Sequence, residues 1–447
     1  MQTVPSQAEL KRQVCETIDQ HADAIITIGE TIRHHPELGF KEFRTAALVA
    51  DTLRTLGVPH TTGLAHTGVK GELTGRASGP TVALLGELDG LVVDGHPLAD
   101  ADTGAAHACG HNAQITGVLG ATLALVETGA MQHLAGRVVP FAVPAEEYGD
   151  IAWRLEQVRA GTLEFLGGKP ELVSLGHFDD IDMAMLIHTT SRPEDKLAGV
   201  AVSNNGCVVK TVRYSGRAAH AGSAPHLGIN ALYAANIALT AINALRETFH
   251  ERDTIRVHPI ITQGGQQVNV IPGEVRLEMY VRGRTIEAIL DANAKVDRAL
   301  RAGALALGAQ VDITTLPGYM PLTNHAQLRE IFRRNSETLV GAEHYTTIGH
   351  RTGSTDMGDL SQIMPATQGY IGGATGTGHG ADYDIADPHL TYLGKAKVLA
   401  MSAIDLLWDD AHEARAILAA YSPAMSKDEY LGLQRSMNRT ERYDGMA

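Results

Sequence analysis

Three short apolar runs constrain this chain most: Thr81 to Gly86, Val138 to Val143 and Asp182 to Ile187. Glycines bound them, and helical stretches such as Ala113 to Val126 alternate with them. A run of this length that is apolar on both faces reads as a strand covered on both sides, which is the pattern of a parallel sheet between helical layers. The expected fold class is therefore α/β, with sites formed beyond the carboxyl ends of the strands. Before the first run, Ser6 and Glu9 form a capping box that predicts one long helix ending near His34, His35 and Pro36. A second amphipathic helix is expected from Glu42 to Leu56, stopped by Gly57.

From Gly206 the texture changes. Val208 to Tyr214 reads as a strand and Gly228 to Leu245 as an Ala-rich helix. Val275, Leu277, Met279 and Val281 alternate with Arg276, Glu278, Tyr280 and Arg282, the period of a strand with one face in a core. A further helix spans Ile286 to Leu307, and the doubly covered pattern resumes after Pro321. This predicts an α+β domain inserted into the α/β domain: 1–205 and 321–447 form the outer domain, with a polar tail after Asp409, and 206–320 the insert. At 447 residues the chain has room for both, since domains run to about 100–200 residues.

Charge and cysteine content narrow the function. A net charge of −14 argues against a broadly basic nucleic-acid surface and leaves small molecules or other proteins as partners. The N-terminus has no apolar leader, and no apolar stretch reaches the roughly 18 residues of a membrane span. Three cysteines, Cys15, Cys109 and Cys207, do not make a disulfide framework, so a reducing, cytoplasmic setting is expected.

The chemistry-bearing residues form small clusters. In His107-Ala-Cys109-Gly-His111-Asn112 a thiolate and an imidazole flank a glycine that lets a tight loop aim both at one divalent metal, although a lone Cys-x-His also describes a buried cysteine beside surface histidines. Glu146 and Glu147 follow the run ending at Val143; paired carboxylates there suit metal-assisted hydrolysis, one as ligand and one as base, or are simply a solvated pair. His188 closes the third run, His379 sits between glycines, and Glu87 and Asp89 end the first run. Each is weak alone. Their shared position at strand ends makes one metal site the economical reading.

The order of motifs resembles the aminoacylase and glutamate-carboxypeptidase family of metal-dependent amidohydrolases, in the branch of p-aminobenzoyl-glutamate and auxin-conjugate hydrolases. The matching pieces are Arg33-His-His-Pro-Glu37-Leu-Gly-Phe-Lys-Glu42, His107-Ala-Cys109-Gly-His111-Asn112, Pro144-Ala-Glu146-Glu147, Ser215-Gly-Arg-Ala-Ala-His220-Ala, Val268-Asn269-Val-Ile-Pro272, Gly353-Ser354-Thr355-Asp356-Met-Gly358-Asp359 and Gly378-His379. The resemblance implies an α/β/α zinc-peptidase-like catalytic domain with an inserted lid that forms a homodimer. It implies Cys109, His111, Glu147, His188 and His379 as ligands of Mn²⁺ or Zn²⁺, Glu146 as general base and then acid, and His220 as oxyanion donor, in the partner subunit's site, with Asn269 on the substrate. The implied reaction is cleavage of the amide bond of an N-acyl or N-aroyl amino acid or small dipeptide.

Departures from the family pattern leave questions open. Tyr148 follows the glutamate pair, and a segment from Ile151 to Phe165 reads as an inserted amphipathic helix, either a surface decoration or a wall of the pocket. Thr189 and Thr190 follow His188 where an apolar continuation is expected. Glu87 stands where many relatives carry a histidine or aspartate ligand, so one ion per subunit is as defensible as two, with Glu87 and Asp89 as accessory candidates. Arg282 is a candidate clamp for a substrate carboxylate, or the solvated end of a strand, and Tyr148 stacks on an aromatic substrate or merely packs. Two other functions compete: hydrolytic deamination of an activated aromatic ring, and a non-catalytic metal-binding homologue. Retention of Glu146 argues against the second.

Overall fold

A computed structural model of the chain describes residues 5–446. The chain divides into two units: the first runs up to Val202 and includes Thr323–Gly349 and Asp359–Ser426, and the second comprises Ser203–Leu322, His350–Gly358 and the chain from Lys427.

The first unit is built on a ten-stranded sheet. Its centre is four parallel strands, Ala77–Glu87 (β1), Ala135–Val143 (β2), Met183–Thr189 (β3) and Ala366–Ile371 (β4), in the spatial order β2, β1, β3, β4. Gly68–Gly71 extends the sheet antiparallel beside β2, and Ala198–Asn204 does so beside β4. The strands are apolar because both faces are covered: Val82, Leu84, Val138 and Met185 are fully buried. One covering helix is His111–Glu127 (α1), buried nearly all round, and it packs against β1 and against Gly394–Leu407, also buried on every side. The chain leaves β1 for β2 on one side and then returns across it to β3 on the other. That reversal opens a crevice at the carboxyl ends of β1, β2 and β3.

The expected first helix is two helices, Gln7–Gln20 and Ala22–Arg33, broken at His21. Leu10, Val14 and Ile18 are buried on one and Ile25 and Ile32 on the other. Ile18 and Ile25 stand a heptad apart, so the apolar period runs unbroken through the bend and hides it. The second helix occupies Phe43–Thr55, close to its expected span.

The second unit holds a five-stranded antiparallel sheet in the order Arg256–Gln263, Glu274–Gly283, Gly206–Ser215, Gln310–Pro317 and Arg439–Asp444. Helices Ala231–Ala244 and Ile286–Leu307 pack on it. Val275, Leu277, Met279 and Val281 are buried, as their alternation predicts. The residues after Asp409 are not a loose tail: they form helices His412–Ala420 and Lys427–Met437, and Arg439–Asp444 adds the edge strand of this sheet. Its sequence, RTERYD, is polar because an edge strand is held by backbone pairing to one neighbour and needs no apolar run.

Candidate metal centre

The site lies in the first unit, at the crevice. Glu87 is the last residue of β1 and is level with Val143 of β2, so Asp89 and the Pro144–Glu147 turn leave the sheet side by side. Cys109 and Gly110 immediately precede α1, and His111 is its first residue, slightly earlier than the start read from the sequence. Gly110 caps the helix at φ +79°, and a Cβ there would lie 2.5 Å from the Tyr383 hydroxyl and 2.6 Å from Thr189 Oγ1, so only glycine lets the loop close. His188 is the penultimate residue of β3. His379 has a φ of +64°, and its N–H donates to the Ala108 carbonyl at 2.9 Å, which docks one loop on the other.

These elements bring five candidate ligands together. Cys109 Sγ is 3.4 Å from His188 Nε2 and 3.3 Å from His379 Nε2, and His379 Nε2 is 3.1 Å from Glu147 Oε1. Three groups have donor atoms within 4.8 Å of one another: Cys109 with His111 and His188, Cys109 with Glu147 and His379, and Glu87 with His111 and Glu146. Cys109 thus belongs to two of the three. Glu146, 8% exposed, has Oε2 3.9 Å from His111 Nε2.

The donor set fits a divalent cation. His188 Nδ1 donates to the Thr189 carbonyl at 2.8 Å and His111 Nδ1 to the Asp89 carbonyl at 2.9 Å, so in each neutral ring the lone pair is on Nε2, facing the cluster. His111 Nε2 and Glu147 Oε1 are buried and make no hydrogen bond of good geometry, although Glu87 Oε2 and His379 Nε2 respectively lie 3.1 Å away. Asp89 steadies both sides: Oδ1 lies 3.1 Å from His111 Nδ1, and Oδ2 accepts the Glu147 N–H at 2.8 Å.

The electrostatics point the same way. Burial pushes the Cys109 thiol up, as does Glu147, but His188 and His111 outweigh them and bring it down to about 6. Burial likewise raises Glu147, yet His379 holds it down at about 2, and Glu147 in turn lifts His379 to about 11. Cys109 and Glu147 are thus kept ionised by the imidazoles around them, and a divalent cation would take over that role by displacing the ring protons. His107 stands apart: burial lowers it to about 3, and neither of its ring nitrogens has a partner.

Glu87 is differently placed from the other acids. Its Oε1 accepts from Lys169 Nζ at 2.6 Å and its Oε2 from Gln114 at 2.7 Å, with His111 Nε2 3.1 Å away. Lys169 is fully buried, and nothing in its local sequence distinguishes it from a solvated lysine. A second buried lysine, Lys395, reaches Thr189 Oγ1 from Gly394–Leu407. Glu42, the last residue of the first motif, is wholly buried; it accepts from Ala145 N at 2.8 Å and from Thr67 Oγ1 at 2.6 Å, and burial with the nearby Asp89 pushes it up to about 7. That bond holds Ala145 at φ +51°, the turn that aims the next two glutamates.

His220, Asn269 and Arg282 belong to the second unit. His220 and Asn269 are neighbours there, through an isolated bridge between His220 and Val270 and the Ala221 N–H donating to the Asn269 carbonyl at 2.9 Å. His220 Nδ1 accepts from the N–H groups of Gly222 and Ser223 at 3.1 Å each, which leaves the proton of a neutral ring on Nε2 as a donor. Arg282 lies over the Tyr280 ring, 5.3 Å from its centroid. Tyr148 is half-buried in the first unit, with the Arg154 guanidinium 5.9 Å from its ring centroid.

Known proteins share this arrangement of sequence. The model of Peptidase family M20/M25/M40 matches residues 83–400, and the chain belongs to that family. It is a metal-dependent hydrolase acting on C–N bonds. Among its relatives, the Xaa-Arg dipeptidase of Mus musculus is 30% identical over 426 residues, covering 90% of each chain. A p-aminobenzoyl-glutamate hydrolase polypeptide of Escherichia coli is 28% identical over 298 residues, covering 64% of this chain and 57% of its own. A dinuclear metal-binding peptidase of the M20 family from Bacillus subtilis shares the fold with a TM-score of 0.64 at 20% identity, over 87% of this chain and 99% of its own.

Proposed function

We propose that this protein hydrolyses the amide bond of an N-acyl or N-aroyl amino acid or a small dipeptide, with Cys109, His111, Glu147, His188 and His379 holding the metal and Glu146 moving the proton. The observation that carries this reading is the convergence of those five donor atoms beside a glutamate, Glu146, at one sheet end. Two ions are favoured over one, because Cys109 is common to two ligand groups while Glu87 is already engaged by Lys169 and Gln114. The soft thiolate and imidazole donors favour Zn²⁺, whereas the branch resembled here often uses Mn²⁺.

A divalent cation held by these residues would supply Lewis acidity and would make water a readier proton donor near neutral pH. The side chains do the rest. Glu146 accepts the proton of the attacking water and afterwards delivers it to the leaving amine nitrogen, so water and amide become acid and amine with no net proton change. Asp89 holds His111 and the Glu147 backbone in register. His220, donating from Nε2, stabilises the oxyanion of the tetrahedral intermediate, and Asn269 and Arg282 bind the substrate.

The lid, residues 206–320, is proposed to form a homodimer in which His220 serves the partner's site. Strand Arg256–Gln263 ends its sheet and exposes Ile260 (50%) and Ile261 (43%), and the neighbouring helix exposes Tyr233 (60%). An apolar edge strand of this kind calls for a cover. All three cysteines are free, which suits a reducing cytoplasm, and among the described residues no helix is long and apolar enough to cross a membrane. Ring deamination is not favoured: the two relatives compared by sequence are named for a dipeptide and for an aroyl amino acid.

Elemental analysis, followed by chelation and release of amine from N-acyl amino acids, p-aminobenzoyl-glutamate and dipeptides ending in arginine, tests the reading. Full activity in metal-free protein refutes it, as does ammonia released from aminoarenes with no amide cleaved. Mixing inactive Glu146→Ala and His220→Ala subunits restores activity if His220 acts across the dimer. Verified heterodimers without activity return His220 to its own subunit.

A further inference from the structure

The inserted segment takes no part in the proton and metal chemistry of the reaction. Its helix, Ile151–Ala160 (α2), bears one feature foreign to a surface decoration: Arg154 is 2% exposed. A buried guanidinium is expensive to desolvate, so its contacts explain its presence. Nη2 donates to the carbonyl of Glu147 at 2.7 Å and Nη1 to the carbonyl of Leu166 at 2.5 Å. The guanidinium lies over two rings, 5.2 Å from the Phe40 centroid and 5.9 Å from that of Tyr148. Gly39 makes the space, since a Cβ there would come within 2.5 Å of Nη2 and 3.0 Å of the Ala145 backbone.

The surrounding contacts tie α2 to the segment that also holds the catalytic turn. Lys41 pairs with Asp150 at 2.8 Å and lies over the Trp153 ring at 4.2 Å. Its neighbour Glu42 accepts the Ala145 N–H. The Glu146–Glu147 turn is thus gripped at Ala145 by Glu42, at the Glu147 N–H by Asp89 and at the Glu147 carbonyl by Arg154. Two of those three grips come from residues of the outer domain's own motifs; the third comes from the insertion.

We propose that Arg154 is a positioning residue: the inserted helix braces the Glu146–Glu147 turn through the Glu147 carbonyl and thereby sets the Glu147 carboxylate toward the metal. The proposal rests on the reading of Glu147 as a ligand. Losing such an outer partner typically lowers metal affinity or activity by about 10- to 100-fold.

The test compares the full-length parent protein with Arg154→Met, Arg154→Lys and Glu147→Gln. Metal-free protein is titrated with Co²⁺, whose visible absorption reports ligand geometry as well as occupancy, and kcat and KM are measured at saturating metal. Arg154→Met is expected to weaken Co²⁺ binding by about 10- to 100-fold, alter the Co²⁺ spectrum and lower kcat with KM nearly unchanged. Arg154→Lys restores part of each. Parent-like Co²⁺ affinity, spectrum and kcat in folded Arg154→Met protein overturn the proposal. If Arg154→Met does not fold, Arg154→Lys decides: a lysine reaches one carbonyl rather than two, so an unchanged Co²⁺ spectrum and affinity overturn the proposal and a shifted spectrum supports it. The underlying reading fails separately, when Glu147→Gln binds Co²⁺ as the parent does.

Discussion

Glu87 and Glu147 are two carboxylates at the ends of adjacent strands, both held down at about 2 against the effect of burial. Their counter-charges differ. Glu87 is paired with the ammonium of Lys169, fully buried with it, and is further bonded by Gln114. Glu147 is paired with His379, whose side chain is half open at 52%, and with the Cys109 side of the cluster. The Lys169 ammonium is sealed in with its carboxylate, whereas the imidazole of His379 reaches solvent and can exchange its proton for a metal. The same type of residue therefore closes one side of the crevice as structure and leaves the other side available for chemistry.

The strongest way to break this comparison is through Glu146, beside both. Glu146→Ala is expected to lower kcat by up to about 10⁴-fold while metal content stays at the parent level, measured by elemental analysis on the same preparation as the kinetics. Loss of metal in that variant would exchange the roles of Glu146 and Glu147. Glu147→Ala is expected to show the converse. Its metal affinity falls by more than the about 100-fold ceiling for outer partners, read by competition with a chromogenic chelator, and turnover fails because the site is empty.

The division between legible and hidden parts follows the same line. Buried parallel strands announce themselves because both faces must be apolar, and helix Ile286–Leu307 has the bounds read from its periodicity. The candidate ligands are legible because thiolate, imidazole and paired carboxylate at strand ends are rare together. Lys169, Lys395 and Arg154 are not, since a lysine or arginine in a sequence reads as solvated and only the fold supplies a buried partner. The bend at His21 is hidden by a period that continues through it, and Arg439–Asp444 by a pairing made through the backbone and polar side chains, such as Arg442 with Asp312, rather than through an apolar run.

Lys169→Met sharpens the structural half. It leaves the Glu87 carboxylate buried without its cation, and breaking a buried pair from one side costs about 3–5 kcal/mol. The expected result is a lowered unfolding midpoint at fixed protein concentration in metal-free protein, with metal stoichiometry retained under native conditions. Adding Glu87→Met to it removes the stranded charge and recovers most of the loss. If the single variant instead loses metal and keeps its midpoint, Lys169 serves the metal centre and Glu87 is part of it.

The smallest effect gives the finest distinction. Gln114, one turn into α1, donates to Glu87 Oε2 and accepts the Glu87 N–H at 3.2 Å. Gln114→Leu fills a similar volume but leaves both groups short of a partner, at about 1–3 kcal/mol. Were Glu87 a ligand, Gln114 would be its outer partner, and its removal would weaken metal binding by about 10- to 100-fold. With Glu87 committed to Lys169, the expected result is a small drop in unfolding midpoint and an unchanged metal dissociation constant. The two readings thus separate on one variant and two measurements, and a shifted dissociation constant would move Glu87 to the chemical side of the crevice.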